Sequence, residues 1–297
     1  MALGRAAQGG LSDWPALRLA GAHDAAARLP FSVNGTPVGS VARAQLTALR
    51  AWPQWLRIDD TQVALHVEIS ALDSALKRIN GTLRQQGLIR AWRDEAFALF
   101  DPATGARLAT MERAAARFWG TLTLGAHATG YLADASGRPT HLWIAQRSPT
   151  KATDPGCFDN LVGGGVPDGQ TPLQALVREG WEEAGLHPAQ LAAARAGSVL
   201  HLQHDIPEGL QHEWLHAYDL PLPAGWLPQN QDGEVAGFDC LPLADALALA
   251  ASGSMTVDAA LVTLDFALRH ALLPTAQAQR LEPALAARRL HNAIQAF

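Results

Sequence analysis

Hydrophobic and polar positions follow two textures along this chain. Up to about residue 111 the pattern predicts short mixed elements: a helix near 13–28, a strand pair around 31–41, a helix across 70–86 and a strand at 96–100. The strand pair turns at Asn34-Gly35, a strong hairpin dipeptide. The second helix is marked by Leu72, Leu76, Ile79 and Leu83 at spacings of four, three and four, with Gly87 as its C-cap. Beyond residues 112–120 the apolar runs lengthen into strands at 118–132 and 141–146, separated by a turn-rich stretch at 134–139. A Pro-, Gly- and Asp-rich loop from 147 to 169 follows. Further strands are expected at 198–203, 213–220 and 235–241, then helices over 242–251, 257–272 and 275–296. Strands on either side of a central helix predict an α/β sandwich with a mixed sheet at 116–297, preceded by a smaller α+β domain at 1–115. The length of 297 residues suits two domains.

Composition narrows the function. Hydrophobic residues make up 48% of the chain and charged residues only 17%, against roughly 25% charged in an average soluble protein. The formal net charge is -5, from 23 basic and 28 acidic side chains. That balance argues against coating nucleic-acid phosphates or an anionic membrane. Two cysteines, with no CxxC or finger spacing, exclude a disulfide framework and a structural zinc site. No apolar run approaches the 18 or more residues of a membrane span, and the first twenty residues lack a continuous apolar h-region. A cytoplasmic chain is the expectation.

Where charge is scarce, its clustering is informative. Thr171 stands at an N-cap, Pro172 at the first helical position and Gln174 completes a capping box, so a helix begins here; Gly185 ends it. Leu173, Leu176 and Val177 are the expected buried stripe. Glu179, Glu182 and Glu183 lie at i, i+3 and i+4, on one face, and repel one another. Arg178 is the only basic side chain in that helix. Such a cluster suits hard cations, Mg²⁺ or Mn²⁺, which also neutralise a diphosphate; a solvated acidic face is the plainer alternative. The glycine run before the helix lacks the Gly-Lys-Ser/Thr of a phosphate-binding loop and does not complete GxGxxG.

From Gly164 the pattern is Gly, five residues, Gln170, seven residues, then Arg178-Glu179-x-x-Glu182-Glu183-x-Gly185-Leu186. It resembles the Nudix box of the Nudix hydrolases. Further stretches, Arg147 to Gly156, Asp159 to Gly165, Asp232 to Val235 and Leu264 to His270, are similar to the Nudix branch related to thiamine pyrophosphokinase, which carries an N-terminal domain of unknown function. The resemblance implies a Nudix α-β-α sandwich and metal-dependent hydrolysis of a diphosphate linked to another moiety. Its branch points to thiamine diphosphate or damaged forms of it, cut to the monophosphate. A nucleotide sugar or dinucleotide is the competing substrate, and a catalytically weak domain that binds a phosphorylated ligand is the competing function.

Residue by residue, the resemblance implies metal binding by Glu179, Glu182, Glu183 and the carbonyl of Gly163, with Arg178 part of the catalytic set. A base outside the box is expected, Glu234 first and Glu213 second. Arg147 and Lys151, in the loop before the glycines, are the expected phosphate contacts. Two positions depart from the box: Gln170 stands where Glu is usual, and Gly180 where an apolar side chain is usual. Trp181 is expected to fill the space that Gly180 leaves. His201, His204, His212 and His216 read as ordinary strand histidines rather than zinc ligands. The N-terminal domain would cover the leaving moiety or mediate homodimerisation, with Trp52, Trp55 and Arg57 as candidate surface residues.

Overall fold

A computed structural model describes residues 14–290. The first helix, α1 (Pro15–Leu19), is much shorter than the periodicity predicts. Asp24 ends any continuation, because its carboxylate accepts from the backbone N–H groups of Ala26 and Ala27 and stabilises a tight turn instead. Strand β1 (Arg28–Val33) then pairs with β2 (Thr36–Ala42) across Asn34 and Gly35, at φ 48° and 89°. Short α2 (Leu46–Leu49), β3 (Leu56–Ile58) and β4 (Val63–Leu65) lead to α3 (Leu72–Gln85). The sheet runs β2-β1-β4-β3. The predicted Leu72, Leu76, Ile79 and Leu83 stripe of α3 is buried in one core with Phe31, Trp52 and Trp119. Trp52, expected at a surface, is therefore a packing residue; Arg57 is exposed.

Hairpin β5 (Ala96–Phe100) and β6 (Arg107–Glu112) precedes α4 (Arg113–Trp119). The strand expected from 118 starts later, because Ala114 to Ala116 favour helix and Gly120, at φ 57°, caps it in the left-handed region. The large sheet contains β7 (Thr123–Ala133), β8 (Pro139–Arg147), β9 (Phe158–Asn160), β10 (Val162–Gly165), β11 (Arg195–Ile206), β12 (Gly209–Pro221) and β13 (Val235–Pro242). Its order is β11-β12-β7-β8-β13, with β10 on β7 and β9 on β8; β12 runs parallel to β7 and the other pairs are antiparallel. The expected loop at 147–169 thus contributes two short strands. Helices α5 (Pro172–Ala184) and α6 (Pro188–Leu191) cover one face, where Leu176, Leu186 and Leu191 pack with Leu124 and Ala126 of β7. The other face is covered by α1, α7 (Leu243–Ala251), α8 (Val257–Arg269) and α9 (Thr275–Ala286), around Leu200, Leu215, Leu261 and Phe266. The predicted α/β sandwich with a mixed sheet is therefore present. The last helix ends at Ala286; its expected extension to 296 runs partly outside the described residues. No helix among the described residues is long and apolar enough to cross a membrane.

Candidate active site

The acidic helix is built as its sequence signals. Thr171 Oγ1 accepts from the Gln174 N–H at 3.2 Å, and Gln174 Oε1 accepts from the Thr171 N–H at 2.8 Å. Gly185 closes the helix at φ 67°. The buried face differs from the expected one. Leu173 is 47% exposed, while Ala175, Leu176, Glu179, Gly180 and Glu183 face inward. Two of the three glutamates are therefore desolvated rather than spread on a wet surface.

Strand β10 lies against them, and its glycines leave the space those side chains occupy. A Cβ on Gly164 would overlap the Glu179 carboxylate. The Gly163 N–H donates to Glu183 Oε2 at 3.0 Å, so it points out of the ladder with β7. In an extended strand the carbonyl of that residue leaves on the same side, toward Glu183.

The cations of the cleft sit between the carboxylates. Arg178 reaches Glu182 at 2.7 Å and Glu179 at 2.8 Å. Lys151 reaches Glu234 at 2.6 Å and Glu183 at 3.5 Å. Burial, with the Glu179 charge, pushes Glu183 up to about 8. Burial also raises Glu179, against the pull of Arg178. Burial acts on Glu234 too, but the Lys151 hydrogen bond and charge, with Arg93, outweigh it and hold that carboxyl below its ordinary value.

The donor set fits a hard divalent cation. Burial first, and then mutual repulsion, drives Glu179 and Glu183 toward protonation despite Arg178 and Lys151, and an oxygen-liganded metal would supply further positive charge. The set is not pre-gathered: among the described residues no three His, Cys, Asp or Glu side chains already form a ligand cluster. Arg178 and Lys151 hold the carboxylates apart in pairs, and a metal would have to take over those contacts.

Other expected residues fall differently. The Arg147 guanidinium, expected to meet phosphate, is engaged inside the protein, with Asp159 at 2.9 Å and the carbonyls of Thr153 and Asp154 at 2.9 and 3.2 Å. It anchors the loop that carries Lys151. Glu213 lies apart from the helix carboxylates, across β7: a Cβ on Gly125 would come within 2.5 Å of its Oε1.

Sequence reasoning missed Arg93, Glu95 and Arg113, which also line this cleft. Arg93 pairs with Glu234 at 3.0 Å, and Glu95 pairs with Arg113 at 3.0 Å and lies 3.9 Å from Arg178. The segment is hooked into place: Ala91 and Asp94 both take positive φ, and the Trp92 indole donates to Asp94 at 2.7 Å. No local motif announces these residues, because their partners are up to 141 positions away.

Two family models match successive stretches of the chain. A Nudix domain model matches residues 123–259, and a model of a domain of unknown function (DUF4743) matches residues 15–123. Nudix hydrolase 24, chloroplastic, of Arabidopsis thaliana is 34% identical over 253 residues, covering 82% of this chain and 68% of the relative. The chain belongs to the Nudix hydrolase family. Nudix hydrolase 20, chloroplastic, of the same plant is 36% identical over 193 residues, 64% of this chain and only 51% of the relative. This chain thus spans about half the length of that relative. The crystal structure of DR0079 from Deinococcus radiodurans covers 58% of this chain and 99% of its own, at 24% identity and a TM-score of 0.43.

Within the Nudix helix, Gly180 is accommodated in an unexpected way. A Cβ there would lie 2.8 Å from Leu191 Cδ1, so Leu191 of α6 fills the space. Trp181 does not; it is 45% exposed and leans on the His187 ring at 5.1 Å. The Gln170 Oε1 is buried without a hydrogen-bond partner among the described residues.

Proposed function

We propose that this Nudix protein hydrolyses a diphosphate linked to another moiety, with Mg²⁺ or Mn²⁺ held by Glu179, Glu182, Glu183 and the Gly163 carbonyl. The observation that carries the reading is the pair of buried glutamates, Glu179 and Glu183, packed against the glycines of β10, where a Cβ on Gly164 would displace Glu179. A bound metal would neutralise the diphosphate oxygens and lower the pKa of a water. Arg178 orients Glu179 and Glu182 through its two ion pairs. Glu234, held ionised at neutral pH by Lys151 and Arg93, is in the state a proton acceptor needs. Lys151 and Arg93, which line the cleft beside Glu234, are the cations that would meet phosphate oxygens by exchanging their carboxylate contacts, whereas Arg147 is tied by several bonds to Asp159 and to the Thr153 and Asp154 carbonyls.

Thiamine diphosphate or a damaged form of it, cleaved to the monophosphate, is the substrate reading. It is supported by the similarity of the segments from Arg147 to Gly156 and Leu264 to His270 to the branch related to thiamine pyrophosphokinase. A cytoplasmic site of action goes with it. The test is phosphate release from a panel of diphosphates with Mg²⁺ or Mn²⁺, comparing the unaltered protein with Glu182→Gln. Metal-dependent turnover that the substitution abolishes supports the proposal. The absence of turnover on every diphosphate would leave a domain that only binds.

A further inference from the structure

Arg178 holds two of the carboxylates that a metal would need, so its release is part of any metal binding there. Its Nη1 lies 2.7 Å from Glu182 and its Nη2 2.8 Å from Glu179. A guanidinium freed from both would remain in a cleft that already contains Arg93, Arg113 and Lys151. Beside a divalent cation that position is repulsive, and the release opposes metal binding unless another carboxylate takes the guanidinium over.

One carboxylate is placed to do so. Among the described residues, Arg178 reaches a single acid besides Glu179 and Glu182. It is Glu95, whose Oε1 lies 3.9 Å from Arg178 Nη2, the nitrogen that donates to Glu179. The second oxygen of Glu95 is engaged, because Oε2 accepts from Arg113 Nη1 at 3.0 Å; Oε1 accepts no hydrogen bond among the described residues. Glu234 is unsuited to the task, since Lys151 and Arg93 already occupy it. Glu95 is also held from behind. The Arg113 N–H donates to its backbone carbonyl at 2.9 Å, and the Arg113 guanidinium rests over the Phe97 ring at 5.4 Å. A move of about 1 Å would bring Nη2 and Oε1 to the separation of a charge-assisted hydrogen bond, about 2.8 Å.

We infer that Glu95 is a positioning residue of this site: it receives Arg178 as Glu179 and Glu182 turn to the divalent cation. Arg178 thereby keeps a counter-charge in both states. Glu95 stands just before β5, upstream of the stretch matched as a Nudix domain, so the acidic helix borrows a working group from outside that stretch. The inference rests on the metal-dependent reading of the cleft.

The experiment titrates Mn²⁺ by calorimetry into the unaltered protein, Glu95→Gln, Arg178→Gln and the double variant. Glu95→Gln keeps the shape of the side chain and loses its charge. It should weaken Mn²⁺ binding roughly 5- to 20-fold, below the value of a fully buried charged hydrogen bond because both side chains are partly exposed. With Arg178 already replaced, the same substitution should change the affinity about twofold or less. A Glu95 that only supported the fold, or attracted the cation directly, would cost as much in both backgrounds. A ratio between the two losses under about threefold therefore overturns the inference. If the unaltered protein binds no Mn²⁺, the hydrolase reading fails and the inference with it, whereas binding that is indifferent to Glu95 overturns the inference alone. Should Arg178→Gln fail to fold, Arg178→Lys takes its place. A flexible, strongly hydrated ammonium can withdraw into water without an acceptor, so the affinity should again stop depending on Glu95.

Discussion

Gly164 shows how much one missing side chain can decide. Its Cα hydrogen faces Glu179, and no larger residue leaves that carboxylate where it is. Gly164→Ala should therefore move Glu179 and weaken Mn²⁺ binding, by roughly 10- to 100-fold if the effect matches the loss of a ligand-orienting contact. Titration of Mn²⁺ followed by calorimetry or spin resonance reads this directly; unchanged affinity would remove Glu179 from the ligand set. Glu183 gives a second prediction at this scale. Its folded-state pKa is raised, from an ordinary value near 4.5 to about 8. A raised carboxyl pKa means that the folded state binds the proton more tightly than the unfolded state. The resulting stability is full below about 4.5 and is lost as pH rises through about 8. In the presence of a chelator, the melting temperature should fall across that window. Glu183→Gln should flatten the fall, and added Mg²⁺ or Mn²⁺ should reverse it. A profile that rises between pH 5 and 8 and is indifferent to the substitution would contradict the assignment.

Among elements, α5 was legible in the sequence and its surroundings were not. Capping box, terminal glycine and glutamate spacing are local signals, and each appears where its spacing placed it. Of the expected stripe, Leu176 is buried and Val177 packs on the same core, but Leu173 is left outside and the buried positions also include Glu179 and Glu183, because apolar residues mark a core face only where the core wants apolar groups. Strands β9 and β10 were invisible because glycine and aspartate disfavour strands intrinsically, and only the pairing edges of β7 and β8 overrule that. The 91–95 hook was equally hidden. Its Arg93 stabilises the ionised form of Glu234, so Arg93→Ala should raise the Glu234 pKa and move the acidic limb of the kcat/KM profile to higher pH. A limb that stays in place would mean that another group titrates there. Leu191, 2% exposed and packed over Gly180, carries a prediction about packing alone. Leu191→Ala should cost about 2–5 kcal/mol in chemical denaturation, because α5 has no side chain of its own to close the void.

At the scale of the whole molecule, the far face of the sandwich is tied together by buried charge rather than by hydrophobic contact alone. Asp265 of α8 is fully buried and accepts from Ser198 of β11 at 2.7 Å, Arg269 at 2.6 Å and Arg289 at 2.8 Å. Arg269 continues to Asp219 of β12 at 2.6 and 2.7 Å, where His270 also reaches at 2.8 Å. The Leu264 to His270 segment thus links two sheet strands and the chain that follows α9. It lies on the face opposite α5, and its contacts are structural. Removing one partner from such a network leaves the other charges buried without compensation, which typically costs about 3–5 kcal/mol. Asp265→Ala should lower stability by that order. Asp265→Asn keeps the Ser198 hydrogen bond but not the charge, so it should lose nearly as much. Both are measured by urea denaturation with Mn²⁺ affinity followed in parallel: folded variants should bind the metal as before, since no residue of this network touches the cleft carboxylates. A stability loss below about 1 kcal/mol would show that α8 is held by its apolar face, and that the charges only fill space beneath it.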